Sequence, residues 1–428
     1  MKKNPKYAND KLYPLVVALY LLATVLVDLV RDIAPLVYMP LKGFAQPLRN
    51  VLFIGCVLYV AYLFFRYGFN WTDTIVFAAS VVLWGVSALL SPEITVFWKD
   101  ALLIFYARVF AGFVLLRHFR GYEKCARILS WFIPLIILYG IVGFFHAGKS
   151  YMTLSYNMMP LALFFIFYGL RQKKMLLEIS GFLMFFIASL LGSRGALLGS
   201  VLGVILYLVI LLARGEKKES GKCALHMLIG FGVIVAFHLV LVNISLRMPV
   251  PGNVGEGAST GSSGGFLLNS RTTNMIVNGT LASDTNRLNI YKRVLDGLAR
   301  EPFKPHGLLG DRLVVCIKPP VTYMNYPHNI VLELLYQFGI PLGIVAVAGI
   351  AWIFIRKIRD LKKVGSMQLV YLLAFVPVTA VQLMLSSSYL VSWLFGAGMG
   401  LLLAKNCSDE PDPVQPEETG DTLQPAEE

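Results

Sequence analysis

The feature that most constrains this chain is a succession of apolar runs, each near the ~20 residues an α-helix needs to cross the hydrocarbon core of a bilayer. The long runs are Leu12–Val30, Val51–Phe65, Ala101–Leu116, Ile128–Phe145, Met175–Leu191, Ala196–Ala213, Ala224–Val242 and Ile330–Ile355. Shorter runs at Thr74–Leu90, Met158–Leu170, Met367–Leu385 and Leu390–Ala404 bring the expected number of crossings to twelve. A soluble domain is about half apolar and a quarter charged. These 428 residues are 57% apolar and 15% charged, so the length belongs to one membrane bundle and not to several soluble domains. The expected fold class is an all-α polytopic membrane protein, with its bundle over residues 1–404. Lys2 and Lys3 precede an apolar stretch without a small-residue cleavage site, which reads as a first helix and not as a removed signal peptide.

Lysine and arginine in short loops set orientation, because they accumulate on the cytoplasmic side. With the N-terminus inside, the cytoplasmic loops hold Arg117, Arg120, Lys124 and Arg127, then Arg171, Lys173 and Lys174. They continue with Arg214, Lys217, Lys218 and Lys222, and then with Arg356, Lys357, Arg359, Lys362 and Lys363. The opposite short loops carry only Arg31, Lys42, Arg49, Lys99, Lys149 and Arg194. Both termini are therefore expected in the cytoplasm, and the long segment 245–327 outside. The tail 405–428 has eight acids against Lys405 alone and few apolar residues, which reads as a disordered cytoplasmic extension. Because that tail is acidic, the membrane body is more basic than the net +13. Part of the excess is the ordinary collar that meets anionic lipid heads. The outer segment is itself basic, with nine Lys/Arg against five Asp/Glu, and points to an anionic partner there.

Several chemistries find no support. Only Cys316 among the five cysteines falls outside, so no intrachain disulfide can pin the outer segment. No Cys-x-x-Cys or His-x-x-x-His spacing suits zinc. No Asp-x-Asp pair in an outer loop suits a divalent cation held by paired carboxylates. No metal or other cofactor is expected, and nucleic acid is not an expected partner. The halves show no internal repeat. Within the outer segment, Pro249–Gly265 reads as a flexible connector. A helix is expected at about Asp284–Arg300, capped by Ser283 or Asp284, with Leu288, Tyr291, Val294, Leu295 and Leu298 as its apolar stripe. A β-prone run at Leu313–Ile317 follows, and Tyr326-Pro327-His328-Asn329 opens the tenth crossing.

Four residues carry chemistry worth weighing. Arg194, in Gly192-Ser193-Arg194-Gly195, sits at a corner with almost no loop, at or near membrane depth, where a lone cation is costly. It either caps helix-end carbonyls or snorkels to the interface, or it aims a guanidinium into a cavity to hold phosphate bidentately. Arg287 falls in the first turn of the loop helix. The helix dipole disfavours a cation there, so helix stability did not select it, and free backbone N–H groups nearby already favour an anion. His328, at a helix start, is either structural or a neutral base, since the dipole disfavours imidazolium and a neutral ring can take a hydroxyl proton. Arg108, inside the fourth crossing, needs a partner, and Asp28 can supply a structural ion pair. His118, His226 and His238 receive no role.

Taken in order, the Gly192–Gly195 corner, Arg287 and Tyr291 in a loop helix, the Gly307–Arg312 turn, and Pro327-His328-Asn329-x-x-Leu332-Glu333 closing on Gly339 resemble the O-antigen ligase and O-antigen polymerase superfamily. Residue-level resemblance covers about Leu176–Gly343. It implies a GT-C-type glycosyltransferase fold in a bacterial inner membrane, serving cell-surface polysaccharide assembly. It further implies a glycan donor linked to undecaprenyl pyrophosphate and metal-independent, inverting transfer to a hydroxyl of an acceptor glycan or lipid. By position, Arg194 and Arg287 match the family's pyrophosphate-binding arginines and His328 its essential histidine. Arg312 is a weaker candidate for orienting the donor sugar, because the turn Gly307-Leu308-Leu309-Gly310-Asp311-Arg312 is less glycine-rich than in many members. Asn329 is a further weak candidate. Two other classes compete: a lipid-linked oligosaccharide flippase, which needs no fixed histidine, and a secondary transporter, which would show repeated halves and broken helices.

Overall fold

The structure is a computed structural model and describes residues 10–37, 43–68, 70–146, 151–247, 285–316, 322 and 324–407. Among the described residues every regular element is helical. In chain order these are α1 (Tyr13–Val37), α2 (Ala45–Tyr67), α3 (Trp71–Leu90), α4 (Trp98–Ile104), α5 (Ala111–His118), α6 (Tyr122–Trp131), α7 (Ile133–His146) and α8 (Tyr151–Gln172). The second half contains α9 (Met175–Leu190), α10 (Arg194–Ala213), α11 (Lys217–Arg247), α12 (Thr285–Arg300), α13 (Asp311–Val315), α14 (Ile330–Asp360), α15 (Ser366–Leu385) and α16 (Trp393–Leu403).

Among the described residues, eight helices are long and apolar enough to cross a membrane, or nine if the bent pair α6–α7 is one span. That is fewer than the twelve runs of the sequence, and the shortfall has local causes. The run Ile128–Phe145 is broken by a 55° bend. The run Ala101–Leu116 is divided by a π-helical turn at Phe105–Phe110 that joins α4 to α5. The helices α9 and α16, at 16 and 11 residues, fall short of a full crossing.

Burial separates a protein-facing centre from a lipid-facing rim. The apolar window of α8 is 89% buried and that of α15 72%, against 17% for α11 and 11% for α14. The central helices can therefore carry polar side chains such as Ser155, Tyr156 and Asn157, while the rim shows Leu, Val and Phe to lipid. A helix apolar on all sides fits only such surroundings. Glycines spaced four apart set how closely helices approach, as small residues do in membrane bundles. On α10, a Cβ at Gly199 would lie 2.7 Å from Val378 Cα, and one at Gly203 would lie 2.7 Å from the Leu373 carbonyl, so α10 rests on the α15 backbone. Gly396 and Gly400 of α16 abut the carbonyls of Val109 and Phe113 in the same way.

The bundle has two chemically distinct ends. At one, Tyr13 donates to the Leu115 carbonyl (2.7 Å), and Arg117 and His118 both engage Asp73. There Arg171 donates to Ser366 Oγ (2.5 Å), Arg214 to the Leu361 carbonyl (2.7 Å) and Lys357 to the Ala404 carbonyl (2.9 Å). The Gly365 N–H donates to the Cys407 carbonyl (2.7 Å). The four basic inter-helix segments thus gather at one end, together with both ends of the described chain up to Asp10 and Cys407. The other end carries Ser87, Ser193, the 302–316 segment, Tyr326–His328 and Ser386–Ser388.

Four expectations change. Residues 311–315 form the short helix α13 and not a strand, because Asp311 and Arg312 turn inward to buried partners. On α12 the buried face is Val294 and Leu298 with Ile290 packed beside them, while Leu288 and Leu295 are 67% and 51% exposed. The stripe follows the i, i+4, i+8 row that meets α14, and the other two leucines lie off it. His328 and Asn329 do not open a straight crossing: α14 turns sharply at Gly339 (φ +72°, ψ 162°), so 330–338 folds back over 340–360. A Cβ at Gly343 would lie only 2.6 Å from Leu335 Cα, which an unbroken helix cannot produce. Finally, Asp28 pairs with Arg31 at 2.9 Å and accepts from Tyr139 (3.4 Å). The charge of Arg108 acts on Asp28 as well. The connector Pro249–Gly265, the capping pair Ser283 and Asp284, and the tail beyond Cys407 lie outside the described residues.

Candidate functional site

The site end is built on a buried polar lock between α13 and α14. Gly307 (φ +75°) lets the preceding loop approach Ser87 Cα, where a Cβ would lie 2.9 Å away. Its N–H donates to the Gln337 carbonyl (2.9 Å), the Leu308 N–H donates to Ser87 Oγ (2.8 Å), and Ser91 donates to the His306 carbonyl (2.7 Å). The His306 ring stacks on Tyr336 at 4.2 Å. Burial lowers the pKa of that ring, partly offset by the Glu301 carboxylate. One turn later, Arg312 is fully buried and donates to Asp311, to Glu333 Oε1 (2.7 Å) and to Ser388 Oγ (2.8 Å). Gln337 donates to Asp311 (2.6 Å), and Tyr389 donates to Gln337 Oε1 (2.5 Å). Burial by itself would lower the pKa of Arg312, but the carboxylates of Asp311 and Glu333 outweigh it and hold the guanidinium charged.

Beside this lock, segments far apart in sequence converge on two tyrosines. Tyr156 of α8 donates to Ser386 Oγ (2.9 Å), and its hydroxyl fills the space where a side chain at residue 195 would begin. Tyr326 donates to the Ser386 carbonyl (3.4 Å) and meets the His328 ring edge-on at 4.6 Å. The Arg312 guanidinium lies 5.5 Å from the Tyr326 ring centre. The charge of Arg287, in the first turn of α12, acts on both phenols. Burial raises the Tyr326 pKa, opposed by Ser387, Arg312 and Arg287, so the phenol stays protonated at neutral pH.

The fold therefore gathers the Ser193–Gly195 corner, Arg287, Tyr326 and His328 around Ser386. Arg194 is the first residue of α10 after Ser193 and is exposed. His328 adopts φ +58°, a left-handed conformation that costs a non-glycine residue about 1–2 kcal/mol. The cap immediately after it holds that geometry: Asn329 Oδ1 accepts from the N–H groups of Val331 (2.9 Å) and Leu332 (3.2 Å). Arg312 stands behind Tyr326, inside the lock. Arg108 lies elsewhere, in the π-helical turn, 4.9 Å from the Phe53 ring and beside a cavity of about 120 Å³ that also meets Arg49 and Asp100.

Sequence reasoning did not single out Tyr156, the Ser386–Ser388 run, or Asp311, Glu333 and Gln337 as partners. Their two signals in the sequence are three consecutive serines between two apolar runs, and carboxylates among apolar neighbours, which survive burial only when paired.

Residues 179–347 match the family model described as O-Antigen ligase. No curated protein and no solved structure matches the chain. The matched region begins within α9 and ends within α14. It encloses the Ser193–Gly195 corner, Arg287, the Asp311–Arg312 pair, His328 and Glu333, and leaves Tyr156 and Ser386 outside. Residues 179–347 of this chain therefore carry a domain of the O-antigen ligase family, set within a bundle of membrane-length helices.

Proposed function

We propose that this protein transfers a glycan from a polyprenyl-pyrophosphate carrier, in the family undecaprenyl pyrophosphate, to an acceptor hydroxyl during cell-surface polysaccharide assembly. The observation that carries the reading is the O-antigen ligase match over 179–347, which encloses Arg194, Arg287 and His328 together. Convergence of their segments on Tyr156, Tyr326 and Ser386 supports it.

Chemically, cleavage at the anomeric carbon leaves a pyrophosphate whose charge grows in the transition state. Guanidiniums preplaced for that charge stabilise it without a metal, and their planar forks suit phosphate oxygens. In this reading Arg194 and Arg287 hold the pyrophosphate. His328 Nδ1 or Nε2 accepts the acceptor's hydroxyl proton as the oxygen attacks the opposite face of the sugar, which gives inversion. Pyrophosphate leaves readily, so the acceptor needs only a nearby neutral base. Arg312 supports the site through Tyr326 and does not touch the donor.

The architecture that serves this reading is a GT-C-type bundle. The eight long helices and the bent α6–α7 pair supply its crossings, and the α4–α5 helix with its π turn, α9 and α16 pack among them. The basic end faces the cytoplasm with both termini, since lysine and arginine are retained there. The site end faces outward, where lipid-linked saccharide and acceptor meet.

The test is purified protein with a defined undecaprenyl-pyrophosphate oligosaccharide and candidate acceptors in EDTA. Product in wild type and its loss in Arg194→Ala, Arg287→Ala and His328→Ala is the expected result. Lipid movement without any transferred product would overturn the transferase reading in favour of a flippase.

A further inference from the structure

At the basic end, opposite the candidate site, two cavities meet. A chamber of about 650 Å³ is lined by Arg171, Lys173, Lys222, Glu216, Glu219 and Glu178, among others. A groove of about 590 Å³ runs between α9 and α11 over Phe182, Phe186, Val233 and Phe237. Met175, Glu178 and His226 line both, so the chamber opens directly into the groove.

The groove follows one face of each helix. Its lining runs from residue 175 to 186 on α9 and from 226 to 237 on α11. At 1.5 Å per residue each stretch is about 16 Å long, close to half of the ~30 Å hydrocarbon core. It fits a chain that fills one leaflet, and a polyprenyl chain far longer than a leaflet does not fit. In the chamber, Glu178 Oε1 takes His226 Nδ1 (2.8 Å) and Glu216 pairs with Arg171 (3.5 Å). Among the described residues Lys173, Lys222 and Glu219 make no ion pair with one another or with these four. Two ammonium groups and one carboxylate facing one chamber complement a ligand that carries a phosphodiester and a primary amine.

We propose that α9 and α11 hold one aminophospholipid from the leaflet at the basic end. Its phosphate lies between Lys173 and Lys222, its ammonium lies against Glu219, and one acyl chain lies in the groove. Such a lipid would brace α11, whose own packing is sparse: only 17% of its apolar window is buried. The site is independent of the transferase reading, because it lies at the other end of the bundle.

The test is native mass spectrometry of the delipidated full-length chain titrated with dioleoyl phosphatidylethanolamine, dioleoyl phosphatidylglycerol and undecaprenyl phosphate in turn. Wild type should retain one phosphatidylethanolamine with about a tenfold preference over phosphatidylglycerol. Lys173→Glu with Lys222→Glu should lower its occupancy about tenfold, and Val233→Trp should lower binding of both phospholipids by filling the groove. Glu219→Gln, nearly isosteric and harmless to folding, should remove the preference between headgroups. Equal retention of phosphatidylglycerol by wild type, unchanged occupancy in the charge-reversed and Val233→Trp variants, or displacement by undecaprenyl phosphate would each overturn the proposal.

Discussion

Replacing Arg312 with alanine tests whether the site rests on a buried charge lock or only lies near one. Arg312, Asp311 and Glu333 are all fully buried, and the guanidinium bonds both carboxylates and Ser388. Removing it leaves two carboxylates in low dielectric with no cation, so the cost follows breakage of a buried pair, about 3–5 kcal/mol. Arg312→Lys keeps a charge but loses the fork, and should cost about 1.5–3 kcal/mol, the range for a lost charged hydrogen bond. The signature lies in the double variant. Adding Glu333→Gln to Arg312→Ala leaves one buried carboxylate and not two, while the new amide can still accept from Ser388. It should therefore be more stable than Arg312→Ala alone by about 1 kcal/mol or more, a coupling expected of groups sharing one network. The assay is reversible SDS titration of purified protein followed by tryptophan fluorescence. An Arg312→Ala variant within about 0.5 kcal/mol of wild type, the range of an ordinary surface change, would refute the lock. So would a double variant no better than the single.

Other perturbations separate structure from chemistry. Arg194→Ala and Arg287→Ala should abolish glycan transfer in a purified assay while shifting stability by no more than about 0.5 kcal/mol, since neither residue is buried; lysine should rescue only in part. His328→Ala should stop product formation yet leave binding of the lipid-pyrophosphate donor intact in a pull-down, because the arginines hold it. Gly203→Leu should destabilise by about 1–3 kcal/mol or more in the same SDS titration, since its Cβ already meets the Leu373 carbonyl and backbone cannot yield as a side chain can. For His306, the folded pKa lies below the unfolded value of about 6.5. The unfolded chain therefore binds the proton first, and stability is full above about pH 6.5 and falls as pH drops through it. Hydrogen-exchange protection across 301–310, corrected for the intrinsic rate at each pH, should fall at pH 5 relative to pH 7.5, and His306→Phe, which keeps the stack on Tyr336, should flatten that difference.

What was legible in the sequence follows from the solvent. A bilayer requires long apolar helices that satisfy their own backbone, so the apolar runs fall on helix, and their basic connections sort to one end of the bundle. The short ordered motifs were legible for a related reason. Pro327–Gly339 was legible as a motif because its residues are contiguous, whereas the cap at Asn329 and the sharp turn at Gly339 were seen only in the structure.

The rest depended on neighbours brought from elsewhere in the chain. Leu313–Ile317 has β-prone composition, yet 311–315 is helix because Asp311 and Arg312 find Glu333, Gln337 and Ser388 across the fold. Asp28 is a plausible partner for Arg108 by depth alone, and in the fold it pairs at 2.9 Å with Arg31, one turn away on α1. Nothing in the local sequence pairs Tyr156 with Ser386, 230 residues away. Periodicity and composition specify which face of a helix is apolar. Which polar groups meet is decided only when the helices pack, because the cost of burying a polar atom depends on the partner waiting for it.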